Sequence, residues 1–150
     1  MNLDRASSAG YMTNLAARLF TRELERQLAP TGIASAYMPV MFALANGGAL
    51  SQKELAQRAA VEQPTMAATL NRMERDGMIL RRPDPADGRS ALVALTPLAL
   101  GKVTTVARIV ADINTLAFSA LEPDERDAYL RLTGKVIAVL EARDAAANAG

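Results

Sequence analysis

Arginine is the residue type in this chain with the clearest capacity for binding chemistry. Five arginines fall within an 18-residue stretch, at Arg72, Arg75, Arg81, Arg82 and Arg89. A guanidinium group carries several N–H donors in a planar fork that matches phosphate oxygens and the major-groove edge of guanine. The formal net charge of the whole chain is only +1. The position of these arginines, and not the total charge, therefore indicates nucleic-acid binding.

Cysteine and histidine are both absent from the 150-residue sequence. Their absence excludes disulfides, thiol redox sensing and thiolate zinc sites, together with the usual general base and the commonest metal ligand. A Ser-His-Asp or Cys-His catalytic set is impossible, and no paired acidic residues occur in a loop suited to hydrolysis. We expect a binding protein with no enzyme activity, no catalytic residues, no metal and no cofactor.

Targeting signals are also missing from the sequence. No segment has about 18 consecutive apolar residues, the length that crosses a bilayer. The first eight residues, MNLDRASS, lack the basic and apolar regions of a signal peptide. We expect a cytoplasmic protein, and the length fits one domain or a small domain with an added oligomerisation arm.

Four helices are predicted in the first half of the chain. Apolar residues at spacings of three and four predict the first over residues 11–29 and the second from about residue 35. Ser51 and Glu54 form a capping box that begins the third, and Pro64 is a favourable first residue for the fourth.

A β-hairpin is predicted after the fourth helix. Gly77 is placed to end that helix, and residues 78–82 and 90–95 are predicted strands joined by a turn rich in Pro, Asp and Gly. Two helices joined by a tight turn and followed by a hairpin are typical of a winged helix-turn-helix. We predict this fold, mainly α with a small β wing, flanked by N- and C-terminal helices.

Two apolar helices are predicted in the last third of the chain. The first carries a coiled-coil-like seam, with alternating spacings of three and four, at Val103, Val106, Val110, Ile113 and Ala117. The second has an apolar face at Tyr129, Leu132, Val136, Val139 and Leu140. An intramolecular hairpin is one interpretation. The first helix is apolar around more than one face, however, so one antiparallel neighbour would not cover it, and a homodimer is favoured.

Residues 50–96 resemble the DNA-binding region of MarR-type bacterial transcription regulators. The resemblance is carried by LSQKELAQRAAVEQPTM from residue 50, by LNRMERDGMILRRPDPADGR from residue 70 and by Leu95 and Thr96 after the hairpin. In looser form it extends over residues 11–145. The sequence departs from the family in two places. Pro64 and Ala68 stand where the family often has serine and a polar or basic residue, and residues 97–101, PLALG, follow Thr96 where the family usually continues with charged residues and a glycine.

The resemblance implies an obligate homodimer in which each subunit offers one recognition helix and one wing. It places dimerisation helices at residues 11–34 and 97–147 and the winged helix-turn-helix DNA-binding region at residues 35–96, within a single MarR-like chain of residues 1–150.

Candidate DNA contacts follow from the helical wheel and from the hairpin. Met66, Leu70 and Met73 share the core face of the fourth helix. Thr65, Ala68, Arg72 and Arg75 lie opposite, where the two arginines are either DNA contacts or merely solvated charges beside acidic residues. The full set of candidate DNA-binding residues is Ser51, Gln52, Gln63, Pro64, Thr65, Ala68, Thr69, Arg72, Arg75, Arg82, Asp87 and Arg89.

One of these candidates has a specific expected contact, and two others have alternative roles. Arg89 at the tip of the hairpin can enter a narrow minor groove. Asp87 either fixes an arginine side chain or only forms the turn. Ser51 either donates to a phosphate at a helix N-terminus or only caps its helix.

The resemblance also implies a ligand pocket between the dimerisation helices and the winged region, since small phenolic or aromatic carboxylic ligands often release members of the family from DNA. Arg18 or Arg22 is available for a carboxylate, although each pocket candidate also fits ordinary core or surface. The candidates are Tyr11, Met12, Leu15, Arg18, Tyr37, Met38, Met41, Phe42 and Ile113.

We predict a sequence-specific double-stranded DNA-binding transcription regulator, a repressor released by a small aromatic or phenolic ligand. A two-fold dimer would bind an inverted-repeat operator with half-sites about 10 base pairs apart. The alternative is a winged-helix protein-interaction module without DNA binding. The arginines of the hairpin and the outward Thr65 and Arg72 favour DNA.

Overall fold

The computed structural model describes residues 4–149, which form six α-helices, three β-strands and three short 3₁₀ turns. The helices are α1 (Ala9–Leu28), α2 (Met38–Leu44), α3 (Gln52–Ala59), α4 (Gln63–Arg75), α5 (Pro97–Ala117) and α6 (Pro123–Asn148). The strands are β1 (Ala49–Ser51), β2 (Ile79–Pro83) and β3 (Ala91–Leu95). This order confirms the predicted mainly helical fold with a β wing. None of the helices within residues 4–149 has both the length and the apolar character needed to cross a membrane.

Helix α3 begins and helix α4 ends at the residues that the sequence indicates. The Ser51 hydroxyl accepts a hydrogen bond from the Glu54 amide at 3.2 Å, and the Glu54 carboxylate accepts one from the Ser51 amide at 2.8 Å, which confirms the capping box. Gly77 adopts a left-handed φ of 71° after α4. The chain can therefore reverse there and begin β2 at Ile79.

The small sheet has the strand order β1–β3–β2, with both pairs antiparallel. Leu50 lies opposite Val93 in one pair, and Ile79 lies opposite Leu95 in the other. Strand β1 was not predicted from the sequence, because three residues are too few to show a period. Ser51 is both the last residue of β1 and the cap of α3, so the sheet fixes where α3 begins.

The chain divides into two compact units, residues 1–113 and residues 114–150. Within the described part of the first unit, one apolar core joins helices α2 to α5 and the sheet. Its fully buried side chains include Tyr37, Leu44, Leu55, Leu70 and Val93. The helices and strands of the winged region are therefore held by a common core.

Part of the apolar seam predicted along α5 lies in the core of the chain. Val106 and Ile113 are only 6% and 5% exposed, and they belong to the same core as α2 and α4. Val103 and Val110 of the same seam are half-buried and Ala117 is exposed, so a dimerisation role for α5 stays a prediction without Val106 and Ile113. The chain covers them itself, which a helical period cannot distinguish from cover by a second copy.

The second unit carries an apolar helix face without cover. Phe118 packs edge-on against Tyr129, with ring centroids 5.2 Å apart. Helix α6 nevertheless contains no buried residue. The predicted apolar face of α6 is exposed along its length, with exposed fractions of 51% at Leu132, 55% at Val136 and 63% at Leu140.

Candidate nucleic-acid interface

Helix α4 presents one apolar and one polar face. Met66, Leu70 and Met73 are at most 2% exposed, which confirms the core face expected from the helical wheel. On the other side Thr65 and Ala68 are exposed. Helix α4 also contacts α3 and β2, and these contacts fix its orientation. Its polar face remains open to solvent, so a ligand as large as a DNA duplex could reach it.

Eleven of the twelve candidate DNA-binding residues lie in α3, α4 or the hairpin of the first unit, and Ser51 is the last residue of β1. Half-buried are Ser51, Gln52 and Thr69. Exposed are Gln63, Pro64, Thr65, Ala68, Arg72, Arg75, Arg82, Asp87 and Arg89.

Ser51 is engaged within its own helix. Its hydroxyl donates to the Glu54 carboxylate at 2.8 Å, and its amide donates to the same carboxylate oxygen at the same distance. These bonds, from the backbone first and then the side chain, lower the pKa of Glu54 below its ordinary value. A carboxylate thus occupies the place that a phosphate would take at this helix end, so capping is the role that the geometry supports for Ser51.

Tyr37 contacts both Arg72 on α4 and Asp76, the residue that directly follows α4. The Arg72 guanidinium carbon lies 5.8 Å from the centroid of the Tyr37 ring, a cation–π contact. The Tyr37 hydroxyl donates a hydrogen bond to the Asp76 carboxylate. Burial, followed by this hydrogen bond, raises the pKa of Tyr37 above its ordinary value. This contact could not be predicted from the sequence, because Tyr37 is separated from both partners by more than 30 positions.

The tip of the hairpin is shaped by two aspartates. The Asp84 carboxylate accepts from the Ala86 amide at 2.9 Å, and the Asp87 carboxylate accepts from the Arg89 amide at 3.0 Å. Within residues 4–149, Asp87 makes no bond to an arginine side chain, which was one of its two predicted roles. Asp87 binds the backbone of Arg89 instead, because a carboxylate two positions before an amide closes a local turn.

Arg81 links the hairpin to α4. Its guanidinium donates to the Glu74 carboxylate at 2.9 Å and to the Asn71 side-chain oxygen at 3.0 Å. Side chains alternate along a strand, so Arg81 turns toward α4 while Arg82 points the other way. The hairpin is thereby tied to the polar edge of α4, a function that the sequence alone did not assign to Arg81.

The acidic residues between positions 72 and 89 are all engaged. Glu74 binds Arg81, Asp76 binds Tyr37, and Asp84 and Asp87 accept backbone amides. By contrast, within residues 4–149 the side chains of Arg82 and Arg89 make no hydrogen bond or ion pair, and both are exposed. These two cations are available to an external anion.

An apolar cleft of about 210 Å³ lies between α2 and α5 in the first unit. Its wall includes Met38, Met41 and Phe42 from the predicted pocket set, and Ala45, Val103, Val106, Ala107 and Val110. The remaining pocket candidates lie elsewhere. Tyr37 and Ile113 are in the core, Leu15 is half-buried, and Tyr11, Met12 and Arg18 are exposed on α1.

Comparisons with known proteins agree on one family. A family model described as the MarR family matches residues 31–90. An uncharacterised HTH-type transcriptional regulator of Bacillus subtilis, YwoH, is 36% identical over 86 residues, which cover 57% of this chain and 62% of that protein. The HTH-type transcriptional repressor NicR of Pseudomonas putida is 27% identical over 134 residues, 89% of this chain and 85% of that protein.

The fold is shared with solved structures. BpsR of Bordetella bronchiseptica superposes on this chain with a TM-score of 0.80 at 24% identity. Its structure is described as showing the mechanism by which 6-hydroxynicotinic acid regulates DNA binding of BpsR. The match covers 91% of this chain and 97% of BpsR. The named relatives are transcription regulators and not enzymes.

Proposed function

Because the chain belongs to the MarR family of winged helix-turn-helix regulators, we propose that it binds double-stranded DNA sequence-specifically and represses transcription. The observation that carries the proposal is the placement of arginines around α4. Arg72 lies on the exposed face of the helix, and the hairpin adds Arg82 and Arg89, whose side chains make no hydrogen bond or ion pair with the described residues 4–149. A helix in the major groove and an arginine in the adjacent minor groove would use these residues together.

Only a few side chains would contact the DNA bases. Thr65 and Thr69 offer hydroxyls and methyls, Ala68 offers only a methyl group, and Arg72 reaches a guanine edge or a phosphate. With so few direct contacts, we expect DNA shape and phosphate contacts to supply much of the affinity.

The proposed active form is a homodimer. The apolar face of α6 is exposed along its length, and exposed apolar residues of this number mark an interaction surface. A two-fold dimer would present two recognition helices to an inverted repeat with half-sites about 10 base pairs apart. Such a regulator would act in the cytoplasm.

The cleft between α2 and α5 is proposed as the site of a small phenolic or aromatic ligand that releases the repressor. Its volume of about 210 Å³ exceeds the roughly 150 Å³ cavity that holds benzene in a protein interior. The description of BpsR, in which 6-hydroxynicotinic acid regulates DNA binding, supports this assignment. Met38, Met41 and Phe42 would contact the ring.

The experiment is a two-step anisotropy titration. The protein is added to a labelled duplex from the region upstream of its own gene, and to a shuffled duplex of equal composition. We expect binding to the upstream duplex at least about a hundredfold tighter than to the shuffled one. Phenol is then added to the complex, and release is expected for the unaltered protein but not for a Val110→Trp variant that fills the cleft.

The two steps fail separately. Equal affinity for both duplexes, or no binding, would contradict the regulator and leave the protein-interaction module as the better account. Specific binding that is unaffected by phenol would remove the ligand site and keep the DNA-binding function.

A further inference from the structure

We propose that Tyr37 positions Arg72 for DNA contact, so that a buried side chain which cannot touch DNA sets the affinity for it. The inference rests on the proposed function and concerns a residue that the sequence placed only among ligand-pocket candidates. Tyr37 is 1% exposed. It ends the 3₁₀ turn Ser35–Tyr37, directly before α2.

Tyr37 holds the last turn of α4 at two points. Its ring lies under the Arg72 guanidinium, with 5.8 Å between the guanidinium carbon and the ring centroid. Its hydroxyl donates to the carboxylate of Asp76, four positions further along the chain. Because residues four apart lie on the same side of a helix, one tyrosine contacts both side chains from a single direction.

The ring contact restricts the Arg72 side chain. An exposed arginine normally samples many rotamers and loses that freedom when it binds. A guanidinium already stacked on a buried ring loses less freedom, because a planar cation retains its stacking partner in the bound state. Arg72 is the one candidate arginine with such a ring contact among the residues that the structure describes; Arg75 instead lies 3.7 Å from the Asp76 carboxylate.

Asp76 would otherwise compete for Arg72. A free carboxylate four positions after an arginine on a helix forms an ion pair with it. The hydroxyl of Tyr37 binds the Asp76 carboxylate instead, and no ion pair between Arg72 and Asp76 forms within residues 4–149. Tyr37 therefore both supports the guanidinium and engages the carboxylate that lies four positions after it.

A double-mutant cycle on DNA binding tests this assignment. The affinity of Tyr37→Leu for the upstream duplex is compared with that of the unaltered protein. The affinity of the double variant Arg72→Ala/Tyr37→Leu is compared with that of Arg72→Ala. In the presence of Arg72, loss of the ring is expected to weaken binding about tenfold to a hundredfold over the two subunits. In the Arg72→Ala background the same change is expected to alter the affinity less than about twofold.

Tyr37→Phe is the conservative control. It keeps the ring but releases the Asp76 carboxylate, so its affinity is expected to lie between that of the unaltered protein and that of Tyr37→Leu. A merely structural role for Tyr37 would instead give equal losses with and without Arg72, and that result would overturn the inference alone. Absence of DNA binding by the unaltered protein would overturn it together with the proposed function.

A measurement on the unaltered protein covers the case in which Tyr37→Leu does not fold. Stacking on the ring is expected to shift the NMR signals of the Arg72 side-chain protons upfield of those of Arg82. Signals of Arg72 at the positions of an unstacked arginine would overturn the inference without any core substitution.

Discussion

Replacing Val136 and Leu140 with glutamate is expected to convert the protein into a monomer and to weaken binding to an inverted repeat by at least about a hundredfold. These side chains lie four positions apart on the apolar face of α6 and are 55% and 63% exposed within one chain. The substitution therefore disturbs no internal packing. In a dimer it would bury four carboxylates, two from each subunit, in an apolar interface, at a large cost in free energy.

The control is Ala138→Glu, an exposed position on the opposite side of α6. This variant is expected to keep the mass of a dimer in light scattering and the affinity of the unaltered protein. A dimer of normal mass and affinity from the Val136→Glu/Leu140→Glu variant would show that α6 is not the interface.

The second large effect is expected from Ala68→Glu on α4. Ala68 is exposed and lies on the same face as Thr65 and Arg72. A carboxylate there would meet phosphates and the acceptor edges of bases, and it would also form an ion pair with Arg72, four positions further along. We expect loss of specific binding by at least about a hundredfold.

The stability of the Ala68→Glu variant distinguishes a loss of DNA contact from a loss of folded structure. Glutamate has good helix propensity, so Ala68→Glu is expected to melt at the temperature of the unaltered protein and to remain a dimer. Anisotropy on the upstream duplex and circular dichroism measure the two properties. Normal DNA affinity in a folded Ala68→Glu variant would place the DNA interface elsewhere than on α4.

Local signals in the sequence predicted the elements of the winged region well. The capping box of Ser51 and Glu54 and the reversal at Gly77 depend on neighbouring residues only. The core face of α4 likewise follows from a helical period, because Met66 and Leu70 repeat at the spacing of one turn.

Long-range contacts could not be predicted in the same way. The partners of Arg81 are seven and ten positions away, and Tyr37 meets α4 across more than 30 positions. A local period also cannot tell which apolar face the chain covers itself. The period of α5 groups Val106 and Ile113 with the other seam positions, although the chain itself covers these two.

The salt dependence of DNA binding tests the central claim most directly. The affinity of the unaltered protein for the upstream duplex is measured from 50 to 200 mM KCl, a range over which six to ten phosphate contacts change the affinity by roughly 10³ to 10⁵. Arg72, Arg75, Arg82 and Arg89 in two subunits predict a slope of about −7 in log affinity against log salt, reduced by about two units in Arg89→Ala. A slope near zero, or an unchanged slope in Arg89→Ala with normal affinity, would contradict a DNA interface built from these arginines.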